Sequence, residues 1–172
     1  MTEASHQSVI LIGMPGAGKS TIGVLLAKEL GLGFVDTDLL IQTREESTLQ
    51  QILDRSDYLN LRRIEEEVLL ALDCHGLVVA TGGSAVYSEA SMAHLRGCGP
   101  IVYLDVPVDV LRRRIHDYDR RGIARRPEQS FAELFVERTA LYRRHADVTV
   151  TCTDHPPGAV VDDIVRALAG GR

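Results

Sequence analysis

Residues 8–21 read SVILIGMPGAGKST, and the way that stretch divides decides the fold. After its serine, Ser8–Ile12 is a short apolar run, the mark of a strand buried on both faces. Gly13–Gly18 is a loop. Lys19–Leu30 spaces Ile22, Leu25, Leu26 and Leu30 along one side of a helix, and Gly31 stops it, as glycine does past a helix C-terminus. The loop and helix start complete GxxxxGK[ST], with the preceding strand and following helix that this motif requires. Glycines let such a loop curl until successive N–H groups point at phosphate oxygens, and the helix adds its positive dipole end. Gly16, Ala17, Gly18, Lys19, Ser20 and Thr21 are therefore expected to bind a nucleoside triphosphate, ATP below. Lys19 would reach the β and γ phosphates and the Ser20 hydroxyl would ligate Mg2+.

Downstream, short apolar runs alternate with amphipathic ones. Gly33–Val35, Leu77–Ala80, Pro100–Val106 and Val148–Cys152 read as four more strands. Helical patterns run through about Leu53, from about Tyr58 to Leu72, and near Val108–Ile115, Glu128–His145 and Gly158–Leu168. Strands separated by helices imply right-handed βαβ units and a parallel sheet covered on both faces, hence a doubly wound α/β sandwich. Ligands of such sheets bind beyond the carboxyl ends of the strands. The 172 residues fit one domain, spanning 1–172, on the usual scale of roughly 150 residues per domain, and Ala169–Arg172 should fray.

Composition removes several classes. The net charge of −5, five tyrosines, three phenylalanines and no tryptophan leave neither the basic footprint nor the stacking aromatics of a nucleic-acid binder. The longest apolar runs fall far short of the ~18 residues that span a membrane, and MTEASHQ has no secretory pattern. Cys74, Cys98 and Cys152 are odd in number and show no CxxC spacing, so neither a disulfide framework nor a zinc site is expected, and the cytoplasm is the natural location. No exposed apolar stripe stands out, so a monomer is expected. The NKxD base-recognition sequence of GTPases is absent. The apolar strand ending in Asp105 is followed by Val106 where a motor or transporter ATPase carries its catalytic Glu, so Asp105 reads as a turn residue.

Asp36 and Asp38 stand two apart at a strand end, so their side chains project to one side. They could form a helix cap and its solvated neighbour. Beside a phosphate loop, one could instead hold magnesium through water while the other takes the proton of an attacking hydroxyl. Arg62 and Glu65 share a helix face. Periodicity leaves Arg62 open between a solvated face and a site, whereas Arg63, Glu66 and Glu67 read as solvated. The arginine-rich stretch within 112–126 reads as a lid over the triphosphate, hinged at Gly122, although several of its arginines suit a solvated loop.

Taken in order, GMPGAGKST, FVDTD, LRRIEEEVL, ATGG, ARRP and ERTALYRRHAD resemble the shikimate kinase family, from about Val9 to Val165. The resemblance implies a three-layer sandwich with a five-stranded parallel sheet in order 2-3-1-4-5. It implies transfer of the ATP γ-phosphoryl group to the 3-hydroxyl of shikimate, an acceptor-binding helical region near 36–65 and a lid near 112–130. On this likeness Asp36 would serve the magnesium, and Asp38 would hold the acceptor hydroxyls and act as base. Arg62 and Arg138 would grip the carboxylate, Glu65 would orient Arg62, and Gly82 and Gly83 would line the acceptor pocket. Arg126 would be the lid arginine at the transferring phosphate, and Arg114 and Pro157 would flank the adenine. The chain departs from the family pattern at Ser84, in place of a third glycine, and at Leu61, where an aromatic residue is usual. It also departs at Arg126-Pro127, all that remains of an RPLL lid signature. An acceptor other than shikimate, a hydroxy acid or polyol, and a non-catalytic nucleotide-binding module are the alternative readings.

Overall fold

The computed structural model describes residues 7–170. The expectations about the start of the chain and about fraying at residues 171–172 fall outside the described residues, whereas Ala169 and Gly170 belong to the last helix. Five strands form one parallel sheet in the order β2-β3-β1-β4-β5. They are β1 (Val9–Ile12), β2 (Gly33–Asp36), β3 (Leu77–Ala80), β4 (Ile101–Asp105) and β5 (Val148–Thr151). The first strand is central, pairing Val9 with Val78 on one side and Ile10 with Ile101 on the other. All four of its residues are buried, which is why this stretch is apolar without alternation.

Among the described residues there are eight α-helices: α1 (Lys19–Leu30), α2 (Thr37–Glu45), α3 (Leu49–Arg55), α4 (Tyr58–Ala71), α5 (Glu89–Cys98), α6 (Val108–Arg114), α7 (Phe131–His145) and α8 (Pro157–Gly170). The first packs against α8 and the sheet, while α4 and α5 pack together and α7 lies against β4. Helical character through Leu53 resolves into two helices. Glu46 takes a left-handed conformation (φ 49°) and ends α2, and Thr48 with Gln51 forms the capping box that starts α3. One helix, α5, lies where the sequence reading placed none, because Met92 and Leu95 are its only large buried side chains. Among the described residues, no helix is long and apolar enough to cross a membrane.

A second, smaller core of Ile41, Ile52, Leu61, Ile64 and Val68 joins α2, α3 and α4. Ala124, from the long segment between α6 and α7, is buried in it. That segment is thereby fastened to the helical region beside the carboxyl ends of the strands.

The cysteine expectation is corrected. Cys74 and Cys98 are paired as a disulfide with their Cα atoms 6.0 Å apart, and only Cys152 is free. Packing of α4 against α5 brings the loop after one to the end of the other, a proximity that spacing along the chain does not encode.

Candidate active site

Beyond the carboxyl ends of β1, β2 and β3 lies a cavity of about 340 Å³. The phosphate loop forms one wall. Gly18, at φ 93°, caps α1 in the left-handed region that admits glycine, leaving the helix's first N–H groups facing the cavity. Lys19 is buried and its Nζ donates to Gly13 O (2.7 Å) and Met14 O (2.9 Å). Burial brings its ammonium down to about 8, against the pull of Asp38. Gly16, Gly18, Lys19, Ser20 and Thr21 line the cavity, while Ala17 is buried behind it.

Asp36 is the helix cap that the pair allowed, but Asp38 is a largely buried neighbour and not a solvated one. Asp36 Oδ1 caps α2 by accepting from Asp38 N (2.9 Å), while its Oδ2 accepts from the Ser20 hydroxyl. A hydroxyl and a carboxylate oxygen in contact at the mouth of a phosphate loop form a hard-oxygen pair that suits Mg2+. Asp38, one residue into the helix, points into the cavity with Glu65, Gly82, Gly83, Ser84 and Arg138. Burial raises the Asp38 carboxyl and Asp36 adds to the rise, with Lys19 and Arg138 opposing. Glu65, 3% exposed, is pushed up to about 7 by burial and by Asp38. Its Oε2 accepts from the Ser84 hydroxyl, and its buried Oε1 has no partner.

The glycines after β3 are needed for close approach. A Cβ on Gly82 would lie 2.7 Å from Asp38 Oδ1 and closer still to Glu65 Oε1, and one on Gly83 would lie 2.6 Å from an Arg138 nitrogen. Tyr142 fixes this turn by donating to Gly83 O (2.6 Å), and Arg138, one helical turn earlier on α7, is 1% exposed. Ser84 thus adds a hydrogen bond on the cavity wall, and Leu61 supplies apolar wall and core together.

Two expected placements differ. Arg62 and Glu65 form no ion pair. Arg62 lies outside this cavity, its guanidinium 3.5 Å above the Tyr87 ring and 5.0 Å from that of Tyr58. It still meets Arg138, since both donate to Ala124 O, at 3.4 and 2.7 Å. Arg126 does not reach the cavity but pairs with Glu137 at 3.0 Å, and Glu137 also accepts from Tyr87 and Gln129. Arg121 lines the cavity instead, with a guanidinium nitrogen near Gly16. The stretch Arg121-Gly122-Ile123-Ala124 carries its arginine two and three residues before apolar side chains, as RPLL does, and that was the signal available in the sequence. Arg114 donates to Gly16 O (3.4 Å), while Pro157 opens α8 on the surface, away from the cavity. The two regions are bridged by Arg113 and Asp154, 3.5 Å apart.

Known proteins with this arrangement are consistent with one another. The family model for shikimate kinase matches residues 15–169. The shikimate kinase of Pseudomonas entomophila (strain L48) is 41% identical over 167 residues, which cover 94% of this chain and 96% of that protein. That of Mycobacterium avium (strain 104) is 41% identical over 162 residues, 92% of each. The crystal structure of shikimate kinase from Aquifex aeolicus superimposes with a TM-score of 0.83 at 33% identity, covering 95% of this chain and 97% of that one. An Acinetobacter baumannii shikimate kinase in complex with shikimate gives 0.82 at 27%, covering 96% and 94%. A gluconokinase from Sinorhizobium meliloti (TM-score 0.58, 21% identity, covering 95% of this chain and 91% of that one) shares the fold alone. On its sheet order, its phosphate loop and these matches, the chain belongs to the shikimate kinase family and is an enzyme of that type.

Proposed function

We propose that this chain transfers the γ-phosphoryl group of ATP to the 3-hydroxyl of shikimate and releases ADP. The observation that carries the reading is the buried Arg138 guanidinium on the cavity wall with Asp38 and Glu65, and Arg62 beside it, the two arginines sharing Ala124 O as acceptor. Arg138 presents a fixed guanidinium to the cavity, and a carboxylate is the acceptor group that its planar fork suits. That suits a small hydroxy acid and no neutral polyol.

In this reading the backbone amides of Gly16, Gly18, Lys19 and Ser20 hold the β and γ phosphates, and the Lys19 ammonium exchanges the carbonyls of Gly13 and Met14 for phosphate oxygens. Ser20 and Asp36 would hold Mg2+, which when bound neutralises phosphate charge. Asp38 orients the attacking hydroxyl and accepts its proton at a carboxylate oxygen. A raised pKa suits that task, because the transition state is loose and the proton leaves late. Gly82 and Gly83 let the acceptor ring approach the backbone. Arg121, in place of Arg126, stabilises the transferring group. Arg114 and the loop before Pro157 border the nucleoside side. A monomer acting in the cytoplasm completes the reading.

Calorimetry tests the acceptor assignment. Shikimate titrated into the protein with ADP and magnesium should bind with one-to-one stoichiometry, and Arg138→Met should abolish the heat while leaving ADP binding intact. Equal shikimate heats in wild type and Arg138→Met would overturn the carboxylate assignment.

A further inference from the structure

A second cluster of chemically competent side chains lies at the other end of the sheet. Cys74 precedes β3, in the loop after α4, and His94 and Cys98 stand one turn apart on α5. A ring nitrogen of His94 and the two sulfurs all lie within 4.8 Å of one another. Cys74 is 1% exposed, whereas His94 and Cys98 are half-buried, so the cluster has a closed side and an open one. On this strand the cavity begins only at Thr81, past the far end of β3, and it shares no residue with the cluster.

A disulfide accounts for two of the three donors. It does not account for His94, whose Nε2 lies 2.9 Å from Leu72 O. With the proton on Nε2, that carbonyl fixes the tautomer and leaves the Nδ1 lone pair free, the arrangement by which backbone carbonyls orient metal-bound histidines. Two thiolates and an imidazole are the donor set for a tetrahedral zinc ion, with one position left for solvent.

We propose that the reduced chain holds a zinc ion on Cys74, His94 and Cys98, and that this binding and the Cys74–Cys98 disulfide exclude each other. The two states interconvert by thiol–disulfide exchange with a low-molecular-weight disulfide. One protein thiolate attacks a reagent sulfur and expels one thiolate. The second protein thiolate attacks the mixed disulfide and expels the other. Two electrons pass from the protein sulfurs to the reagent, and Zn2+ leaves with its charge unchanged. In either state the α4–β3 loop is fastened to α5, near where the Ser8 hydroxyl donates to Cys74 O ahead of the central strand.

The test uses the full chain, reduced with a phosphine under anaerobic conditions, with Co2+ as the spectroscopic probe and Zn2+ as competitor. Wild type should develop a thiolate-to-cobalt charge-transfer band that saturates at one equivalent and is erased by one equivalent of Zn2+. Cys74→Ser and Cys98→Ser should each lose the band, Cys152→Ser should keep it, and His94→Gln should weaken affinity at least about tenfold. Oxidation by a small disulfide should remove two titratable thiols together with the band, and reduction should restore both. ATP turnover by the variants reports that they are folded. Absence of the band in reduced wild type, which needs no variant, overturns the proposal. So does an affinity unchanged in His94→Gln.

Discussion

Replacing Glu65 with glutamine should stabilise the protein by an amount that grows as pH rises from about 4.5 and is full above about 7. The carboxyl is fully buried beside Asp38 and is held at about 7 against an ordinary 4.5. Below about pH 4.5 the group is protonated in the folded and unfolded chains alike, and its charge costs nothing. As pH rises from about 4.5 to about 7 the unfolded chain has released the proton while the folded chain still holds it, so stability falls by about 3 kcal/mol across that window and levels off above it. Glutamine keeps the shape and can still hydrogen-bond the Ser84 hydroxyl without carrying charge. For a chain of this size the expected gain in Tm at pH 8.5 is roughly 6–12 °C, shrinking to nearly zero at pH 4.5. Thermal unfolding of nucleotide-free wild type and Glu65→Gln across that range measures it. A difference in Tm that is constant with pH, or a variant less stable than wild type at pH 8.5, would refute the reasoning.

Three further outcomes separate the roles assigned within the cavity. Arg121→Ala should lower kcat by about 10²–10³, the usual effect of removing a donor to transition-state charge, whereas Arg126→Ala should stay within a few-fold of wild type, since it breaks only the half-exposed pair with Glu137. Steady-state kinetics on the two variants decides between the arginines. Gly82→Ala forces a methyl group against Asp38 and Glu65, so equilibrium titration should show shikimate binding lost and ATP binding kept. Asp38→Asn should abolish turnover while leaving the ATP dissociation constant within a few-fold, as measured by nucleotide titration.

How much was legible beforehand depends on how local each cause is. The boundaries of α1 were readable because Gly18 and Gly31 both take left-handed conformations, and such glycines punctuate a sequence. The sheet order followed from the family resemblance, and Lys19, Asp38, Gly82, Gly83 and Arg138 converge as their motifs implied. The choice between Arg121 and Arg126 was only partly local, marked by the apolar residues after Arg121. It is made by Gly122, whose N–H donates to Gln50 Oε1 (3.0 Å) and whose Cα packs so closely on Leu49 that a Cβ would collide there. That docking turns Arg121 inward and leaves Arg126 on α7's side with Glu137. Arg62 is likewise governed by Tyr87 and Tyr58, of which Tyr87 is 25 positions away. The cysteine pair depends on α5, a helix whose sparse apolar positions give little periodic signal.

The most direct measurement of the central claim is phosphorus NMR of the protein incubated with shikimate, ATP and magnesium. A phosphomonoester on the 3-hydroxyl of shikimate should appear in step with ADP, one for one. ADP accompanied only by inorganic phosphate, with shikimate unmodified, would contradict the assignment of a hydroxyl steadied by Asp38 opposite the phosphate loop.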